Sequence, residues 1–398
     1  MSAPTSVSSP TSARLPLVDP SPPLSPERLA RYSRQLLLPG FGELAQRRLQ
    51  AARVLVVGAG GLGSATVPYL ASAGVGTIGI ADADTVELSN LHRQTAHTMA
   101  DIGAAKVDSL AQTVAAIDPD IVVRKHAVRL TSANIMGILG DYDLIVDGSD
   151  NFPTRYLSND AATLAHKPLV WGAILRYNGH AGVSWAAHGP TYRDLFPVPP
   201  AADEVLSCEL GGVLPGVCAA IGAILSTEVV KIITGVGEPL LGRVTTFDAL
   251  TGRYREIDYA SIPDAAPITR LIDYEQFCGV TSEEPQSSDA TPAAELNIDA
   301  HELERMLRAG TPLQLIDVRE PVEADMVALP GSQLIPLGEL ESSVAKVRTD
   351  VPVVVYCHHG PRSLYATRML RALGHENVSN LAGGIDAYAA VQPGLVRY

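Results

Sequence analysis

The sequence predicts an α/β fold in two domains, a larger one built on a largely parallel sheet and a smaller α/β domain behind it. Three observations carry this. From residue 53 the chain alternates strand, glycine turn, helix and strand; residues 281 to 294, "TSEEPQSSDATPAA", are polar, rich in Pro and Ser and without periodicity; and a second strand and helix alternation follows them. A chain of 398 residues exceeds the usual size of one domain, so each part can bury a core of its own. With 46% hydrophobic and 18% charged residues the composition is globular, and a net charge of -13 argues against a nucleic-acid footprint. Partners are expected to be small molecules or proteins.

Residues 1 to 24 are rich in Ser and Pro and lack a sustained apolar run, so they read as a disordered tail. The first domain is placed at 25 to 280. Its opening unit is "RVLVVGAGGLGSATVPYLASAGVGTIGIADAD", and "DIVVRKHAV", "DLIVDGSD" and "PLVWGAIL" supply further strands. Between Glu209 and Glu228 lie eighteen uncharged residues, "LGGVLPGVCAAIGAILST", long enough to span a bilayer. They open on Gly-Gly and Pro215, and Glu228 and Lys231 continue the helical pattern, so a buried core helix in a soluble protein is expected, with no membrane partner. "GRVTTFDALTGRYREIDY" reads as a closing hairpin, and 281 to 297 as a linker. The second domain, 298 to 398, runs helix "DAHELERMLRAG", strand "LQLIDV", strand "PVVVYC", a helix starting near Ser363, strand "NVSNLA" and a last helix from Gly384.

The loop "GAGGLG", Gly58 to Gly63, follows a strand and precedes a helix, which lets backbone N–H groups approach a phosphate. Asp82 ends the next strand, where a ribose contact is expected; a nicotinamide cofactor and an adenine nucleotide both fit. The surrounding residues separate the two. "DADTVELSNLHRQ", Lys106 in "IGAAKV", and Asp150, Asn151 and Arg155 in "DGSDNFPTRY" bring cations and carboxylates together. Arg93 and Lys106 suit the β and γ charge of ATP, and Asp150 suits a magnesium ion; hydride transfer needs none of these.

From "RYSRQLLLPGFG" to "FCG", residues 30 to 279, the chain resembles the MoeB/ThiF family, prokaryotic relatives of ubiquitin-activating enzymes. The resemblance implies a Rossmann-like adenylating domain that uses ATP and Mg2+ to adenylylate the C-terminal Gly-Gly of a ubiquitin-like sulfur carrier protein. It assigns ATP binding to Gly61, Asp82, Ser89, Asn90, Leu91, His92, Arg93, Lys106, Asp150 and Asn151. It further implies that Arg34 enters the neighbouring subunit's site, hence a homodimer, and that Cys208 in "VLSCELGG" is a loop thiol able to attack the acyl adenylate or resolve a persulfide. Many members bind structural zinc through two C-x-x-C pairs. Here Thr191 and Asp194 replace the first pair and Glu275 stands with Cys278 at the second, so no zinc is expected. Cys218, among small apolar residues, is assigned to core packing. The four cysteines are too widely spaced for a disulfide framework and no secretory signal is evident, which points to the cytoplasm.

Cys357 ends an apolar strand and is followed by His358, His359, Gly360, Pro361 and Arg362. Four residues between cysteine and arginine are one short of a phosphate-cradling phosphatase loop. Residues 298 to 395 resemble the rhodanese family, with Asp317 and Arg319 in "DVRE", although "ADMVALPGS" lacks the histidine common before its "IPGA" stretch. The resemblance implies a Cys357 persulfide held in a loop of Cys357, His358, His359, Gly360, Pro361 and Arg362. His358 and His359 are read as solvent-facing residues able to tune it.

Together the domains resemble MoeZ-type adenylyltransferase/sulfurtransferases. A thiocarboxylate on a MoaD-, ThiS- or CysO-like carrier is the implied product, with thiosulfate or a cysteine desulfurase as sulfur donor. The competing readings are a nicotinamide-dependent oxidoreductase with a sulfurtransferase appendage and a non-catalytic carrier-docking scaffold.

Overall fold

The structure is a computed structural model that describes residues 16–199, 211–278, 296–392 and 394–395. Cys208 and the polar run at 281–294 lie outside them, as does most of the expected tail. The chain forms two compact units, residues 1–280 and 281–398.

The first unit holds an eight-stranded sheet in the order β3-β2-β1-β4-β5-β6-β7-β8. Strands β1 (Arg53–Val57), β2 (Thr77–Ala81), β3 (Val122–His126), β4 (Leu144–Asp147) and β5 (Leu169–Leu175) pair in parallel. β6 (Asn178–Ser184), β7 (Arg243–Asp248) and β8 (Arg253–Asp258) continue antiparallel. The closing hairpin is therefore β7 and β8. Strand β6 was not anticipated, because "NGHAGVS" carries two glycines and few β-branched residues; its seven-residue ladder with β5 supplies what local propensity lacks.

Chain order reverses between β1 and β4, which opens a crevice at the carboxyl ends of these strands. β1 feeds the glycine loop, whose sharp turn needs Gly58 at φ +89°, and a Cβ on Gly63 would lie 1.9 Å from the Gly58 carbonyl oxygen. Helix Gly61–Ala73 can therefore start hard against the strand. The long apolar segment forms helix Pro215–Thr234, the one helix among the described residues long and apolar enough to cross a membrane. It packs on helix Gly61–Ala73, β5 and β6, and Gly222 permits the contact because a Cβ there would lie 2.5 Å from that of Ala65. Glu228 within it is buried, accepts the Leu240 N–H at 2.8 Å and pairs with Lys231.

The second unit carries a five-stranded parallel sheet, β11-β10-β12-β13-β9. β10 (Gln314–Asp317), β12 (Val353–Tyr356) and β13 (Val378–Leu381) match the expected strands, while the two-residue edges β9 (Asn297–Ile298) and β11 (Gln333–Leu334) are too short to leave a pattern. Helices Ala300–Arg308, Pro361–Ala372 and Gly384–Val391 complete the expected order. The middle helix starts at Pro361 rather than near Ser363, since proline is preorganised for the first helical position and needs no N–H partner there. Pro361 and Arg362 thus belong to the helix and not to the loop.

Candidate active sites

A cleft of about 450 Å3 lies over the reversal point of the first sheet. Gly61, Asp82, Asn90, Arg93, Lys106, Asp150 and Asn151 all line it, although more than ninety residues of sequence separate Gly58 from Asn151. Strand ends deliver several of them. Asp82 follows β2, and Asp150 and Asn151 follow β4. Asn90 closes a 3-10 turn, Leu88–Asn90, and Arg93 follows in the next turn, its N–H donating to the Asn90 carbonyl at 3.1 Å. Ser89, Leu91 and His92, expected here, are not among the lining residues: His92 and Ser89 are exposed, and the Ser89 hydroxyl donates to Glu87 at 3.3 Å.

Asp82 does two things. Its Oδ2 accepts the Ala59 N–H at 2.7 Å and its Oδ1 accepts the Asp84 N–H at 2.8 Å. Spare lone pairs remain on both oxygens for a ribose hydroxyl. Burial raises its pKa, against the lowering effect of those N–H groups and of Lys106. Lys106 is the first residue of helix Lys106–Ile117, where the helix dipole disfavours a cation, and its side chain is only 8% exposed. Its Nζ reaches Asp84 at 2.9 Å, a carboxylate that is itself 69% exposed. Such a pair gives a buried ammonium one easily displaced partner, an arrangement suited to receiving phosphate. Arg93 is steadied by donating to the Ser89 carbonyl at 3.0 Å.

Asp150 is exposed at the cleft, and Asn151 caps helix Phe152–Leu164 by accepting the Thr154 N–H at 2.9 Å. Asn151 therefore offers the cleft chiefly its amide N–H2. Arg155 points elsewhere: it is buried and donates to the Ser149 carbonyl at 3.1 Å, bracing the strand end that carries Asp150. Sequence reading missed Gln94, Asp84, Ser149, Thr154 and Arg129 as lining residues. Gln94 and Asp84 stood inside the quoted motif; Arg129, after β3, carries no local signal.

Arg34 lies on the short helix Ser33–Leu36 and is exposed. The segment before it is fastened by Asp118, which accepts from Arg28 at 2.6 Å and from the Tyr32 hydroxyl at 2.9 Å.

At three of the four positions matching the zinc cysteines of other members the side chains have partners of their own. Thr191 and Asp194 close a capping box at 2.7 and 2.9 Å, and Asp194 also accepts the Ile262 N–H at 2.8 Å. Glu275 pairs with Arg129 at 2.6 Å. Cys278 is buried, and burial pushes its thiol up to about 11. What holds this corner is Asp160, which takes both Arg193 N–H groups at 2.8 and 2.7 Å and the Tyr274 hydroxyl at 2.7 Å. The Arg193 guanidinium stacks over Tyr156 and Phe277, 5.1 and 4.7 Å from their centroids. Among the described residues no cluster of three or more His, Cys, Asp or Glu side chains could hold a metal. Cys218 is buried in the first turn of helix Pro215–Thr234, with its sulfur 3.0 Å from where a Gly61 Cβ would stand.

In the second unit Cys357 follows the central strand β12 and is 1% exposed. Its sulfur accepts the Gly360 N–H at 3.1 Å and the Ser363 hydroxyl at 3.4 Å, and helix Pro361–Ala372 starts beside it. All three present the positive ends of their dipoles to the sulfur. The loop is braced from behind: Ile385 and Asp386 N–H groups donate to the Cys357 and His358 carbonyls at 2.9 and 3.1 Å. That approach requires Gly384, where a Cβ would lie 2.2 Å from the His358 oxygen. His358 and His359 stack with centroids 4.0 Å apart; His359 is exposed, and burial followed by the His359 charge lowers the His358 pKa. Arg362, expected in the anion loop, instead makes a bidentate pair with Glu323 at 2.6 and 2.7 Å. Asp317 and Arg319 form a second pair, fully buried, with contacts at 2.5 and 2.9 Å.

A switch-point cleft of this composition in one unit and a cysteine loop in the other define a two-part chain, and the family comparisons agree. Residues 32–265 match the ThiF family and residues 299–391 match the rhodanese-like domain; the chain belongs to the ThiF family and carries a C-terminal rhodanese-like domain. It is 48% identical over 391 residues to a Mycobacterium tuberculosis protein named "Probable adenylyltransferase/sulfurtransferase MoeZ", covering 96% of this chain and 98% of that one. It is 39% identical to "Adenylyltransferase and sulfurtransferase MOCS3" of Drosophila virilis, over 92% of this chain and 84% of the relative, and to that of Sus scrofa, over 95% and 90%. Among solved structures, E. coli MccB with MccA-N7isoASN aligns at a TM-score of 0.55 and 20% identity, over 60% of this chain and 74% of that one. PaaA aligns at 0.52 and 24%, over 61% and 76%. These two likenesses speak to the fold of the larger unit.

Proposed function

We propose that the chain is an adenylyltransferase and sulfurtransferase that activates a ubiquitin-like sulfur carrier with ATP and converts its C-terminal carboxylate to a thiocarboxylate. The observation that carries this reading is the gathering of Asp82, Arg93, Lys106 and Asp150 around the glycine loop in one cleft. The names of the relatives point the same way. In the first step the carrier carboxylate attacks the α-phosphorus of ATP, forming a C–O–P bond and expelling pyrophosphate. Arg93 and Lys106 offset the charge that brings two anions together. Asp150, an exposed oxygen donor on the cleft wall, suits magnesium, which when bound would neutralise phosphate charge.

In the second step a Cys357 persulfide attacks the acyl carbon and expels AMP, leaving an acyl disulfide. A second thiol then attacks the Cys357 sulfur, releasing the thiocarboxylate and leaving a disulfide for a reductant to open. Cys208 or an external thiol fills that role. The persulfide is renewed from thiosulfate or a cysteine desulfurase. A homodimer with Arg34 completing the neighbouring cleft, and a cytoplasmic setting where thiols stay reduced, belong to the same proposal.

Carrier-dependent exchange of labelled pyrophosphate into ATP tests the first step. Exchange that needs a Gly-Gly terminus supports it. Spectral binding of a reduced nicotinamide without any exchange would overturn it in favour of an oxidoreductase.

A further inference from the structure

Beneath the glycine loop lies a buried histidine that no motif and no step above uses. His97 is 4% exposed, with Nε2 2.9 Å from the Ala59 carbonyl oxygen and Nδ1 2.7 Å from Ser109 Oγ. A carbonyl oxygen only accepts, so Nε2 carries the proton, and in the neutral ring Nδ1 accepts from the Ser109 hydroxyl. Burial lowers the His97 pKa, and the nearby Lys106 charge acts in the same direction against the bond to Ala59.

The Ala59 carbonyl belongs to the peptide joining Ala59 to Gly60. In a planar trans peptide the C=O and the following N–H point in opposite directions. With the oxygen drawn inward to His97, the Gly60 N–H is directed outward, and Gly60 lines the cleft. Glycine offers little resistance to rotation of that peptide, so the direction has to be imposed from outside. On the other side the Ala59 N–H is held by Asp82 at 2.7 Å, and Ser64 Oγ supplements His97 at 3.3 Å from the same carbonyl. Ser109 sits on the helix that starts at Lys106, and His97 lies four residues after Arg93. The relay therefore ties the loop to the elements carrying both cations.

We propose that His97 is a positioning residue for the nucleotide: its Nε2–H holds the Ala59 carbonyl inward and so turns the Gly60 N–H toward the phosphates. The inference rests on reading the cleft as an ATP site.

The test is calorimetric titration of MgATP into the full chain and its H97F, H97N, H97Q and S109A variants, with thermal unfolding of each. Removing the donor in H97F, or withdrawing it beyond reach in H97N, is expected to weaken MgATP binding about tenfold or more. A glutamine amide reaches the same carbonyl, so H97Q should stay within about threefold of the parent, with S109A between. Carrier-dependent exchange at saturating MgATP should change far less than KM. Unchanged binding in both H97F and H97N overturns the inference, as does an H97Q variant as weak as H97N with a native-like unfolding midpoint. If the parent chain binds no MgATP, the ATP reading fails and takes this inference with it; the first two results overturn the inference alone.

Discussion

The cleft and the cysteine loop handle charge in opposite ways. In the cleft the buried Lys106 leans on one carboxylate that is largely in water, and Asp150 stands exposed. Around Cys357 the strong charges are locked to one another, Arg362 to Glu323 and Arg319 to Asp317, and the sulfur is addressed by the Gly360 N–H, the Ser363 hydroxyl and the helix start. An exposed carboxylate can release its cation to an incoming triphosphate at small cost. A bidentate buried pair cannot, because parting it strands a charge. Under the proposed function, the first arrangement suits a polyanion arriving from solution and the second suits a nucleophile kept in a fixed setting.

The sharpest way to break this contrast is to silence each site separately. C357A should abolish sulfur transfer while leaving carrier-dependent pyrophosphate exchange intact, and K106A should lower exchange by about a hundredfold or more. Persulfide formation on Cys357, read by mass, should survive K106A. Loss of both activities in either variant would mean that the two sites are not separable.

Next in size are the locked pairs. D317N leaves the fully buried Arg319 without its charge partner and is expected to cost the smaller unit roughly 3–5 kcal/mol in denaturant unfolding, with MgATP binding by the larger unit unchanged. A cost under about 1 kcal/mol would place that pair with ordinary surface bridges and remove half of the contrast.

The corner at Asp160 offers a third test within the larger unit. D160N weakens the contacts to Arg193 and Tyr274 and should destabilise by roughly 2–4 kcal/mol, whereas a chelator should leave the unfolding midpoint of the unliganded chain where it was. A chelator-induced drop would show a metal that this packing does not call for.

The last effect is absent at neutral pH and appears only on acidification. Burial, with the Arg155 charge, lowers the His180 pKa from 6.5 to about 4. Between those values the unfolded chain binds a proton that the folded one does not, so the contribution is complete above about pH 6.5 and is lost as pH falls toward 4. The slope is at most about 1.4 kcal/mol per pH unit, and H180F should flatten it.

Local pattern revealed much of this. Short, nearly continuous apolar runs located β1, β2, β4, β5 and β12, and the glycine loop announced its own geometry because only glycine tolerates φ +89° at Gly58 and the contact at Gly63. Strand β6 and the edges β9 and β11 were hidden, since pairing rather than propensity makes them strands. In the site, Asp82, Arg93, Lys106 and Asp150 from the quoted motifs line the cleft, whereas Arg155 turns to the Ser149 carbonyl and Ser89, Leu91 and His92 do not line it. The rhodanese resemblance puts Arg362 in the persulfide loop, but its partner Glu323 comes from helix Pro321–Met326, 39 residues earlier, and no local pattern joins them. His97, Gly384 and Asp160 act through backbone atoms or residues far along the chain, which a linear reading does not display.

Under the proposed function, one chain makes an acyl adenylate at one site and replaces its leaving group with sulfur held at the other. This is tested most directly by intact mass of a Gly-Gly carrier after incubation with the full chain, MgATP and a sulfur donor. The account predicts a carrier in which one terminal oxygen is replaced by sulfur, formed by the parent chain and not by C357A. A carrier that is adenylylated but never gains sulfur, with any of the donors, would contradict it.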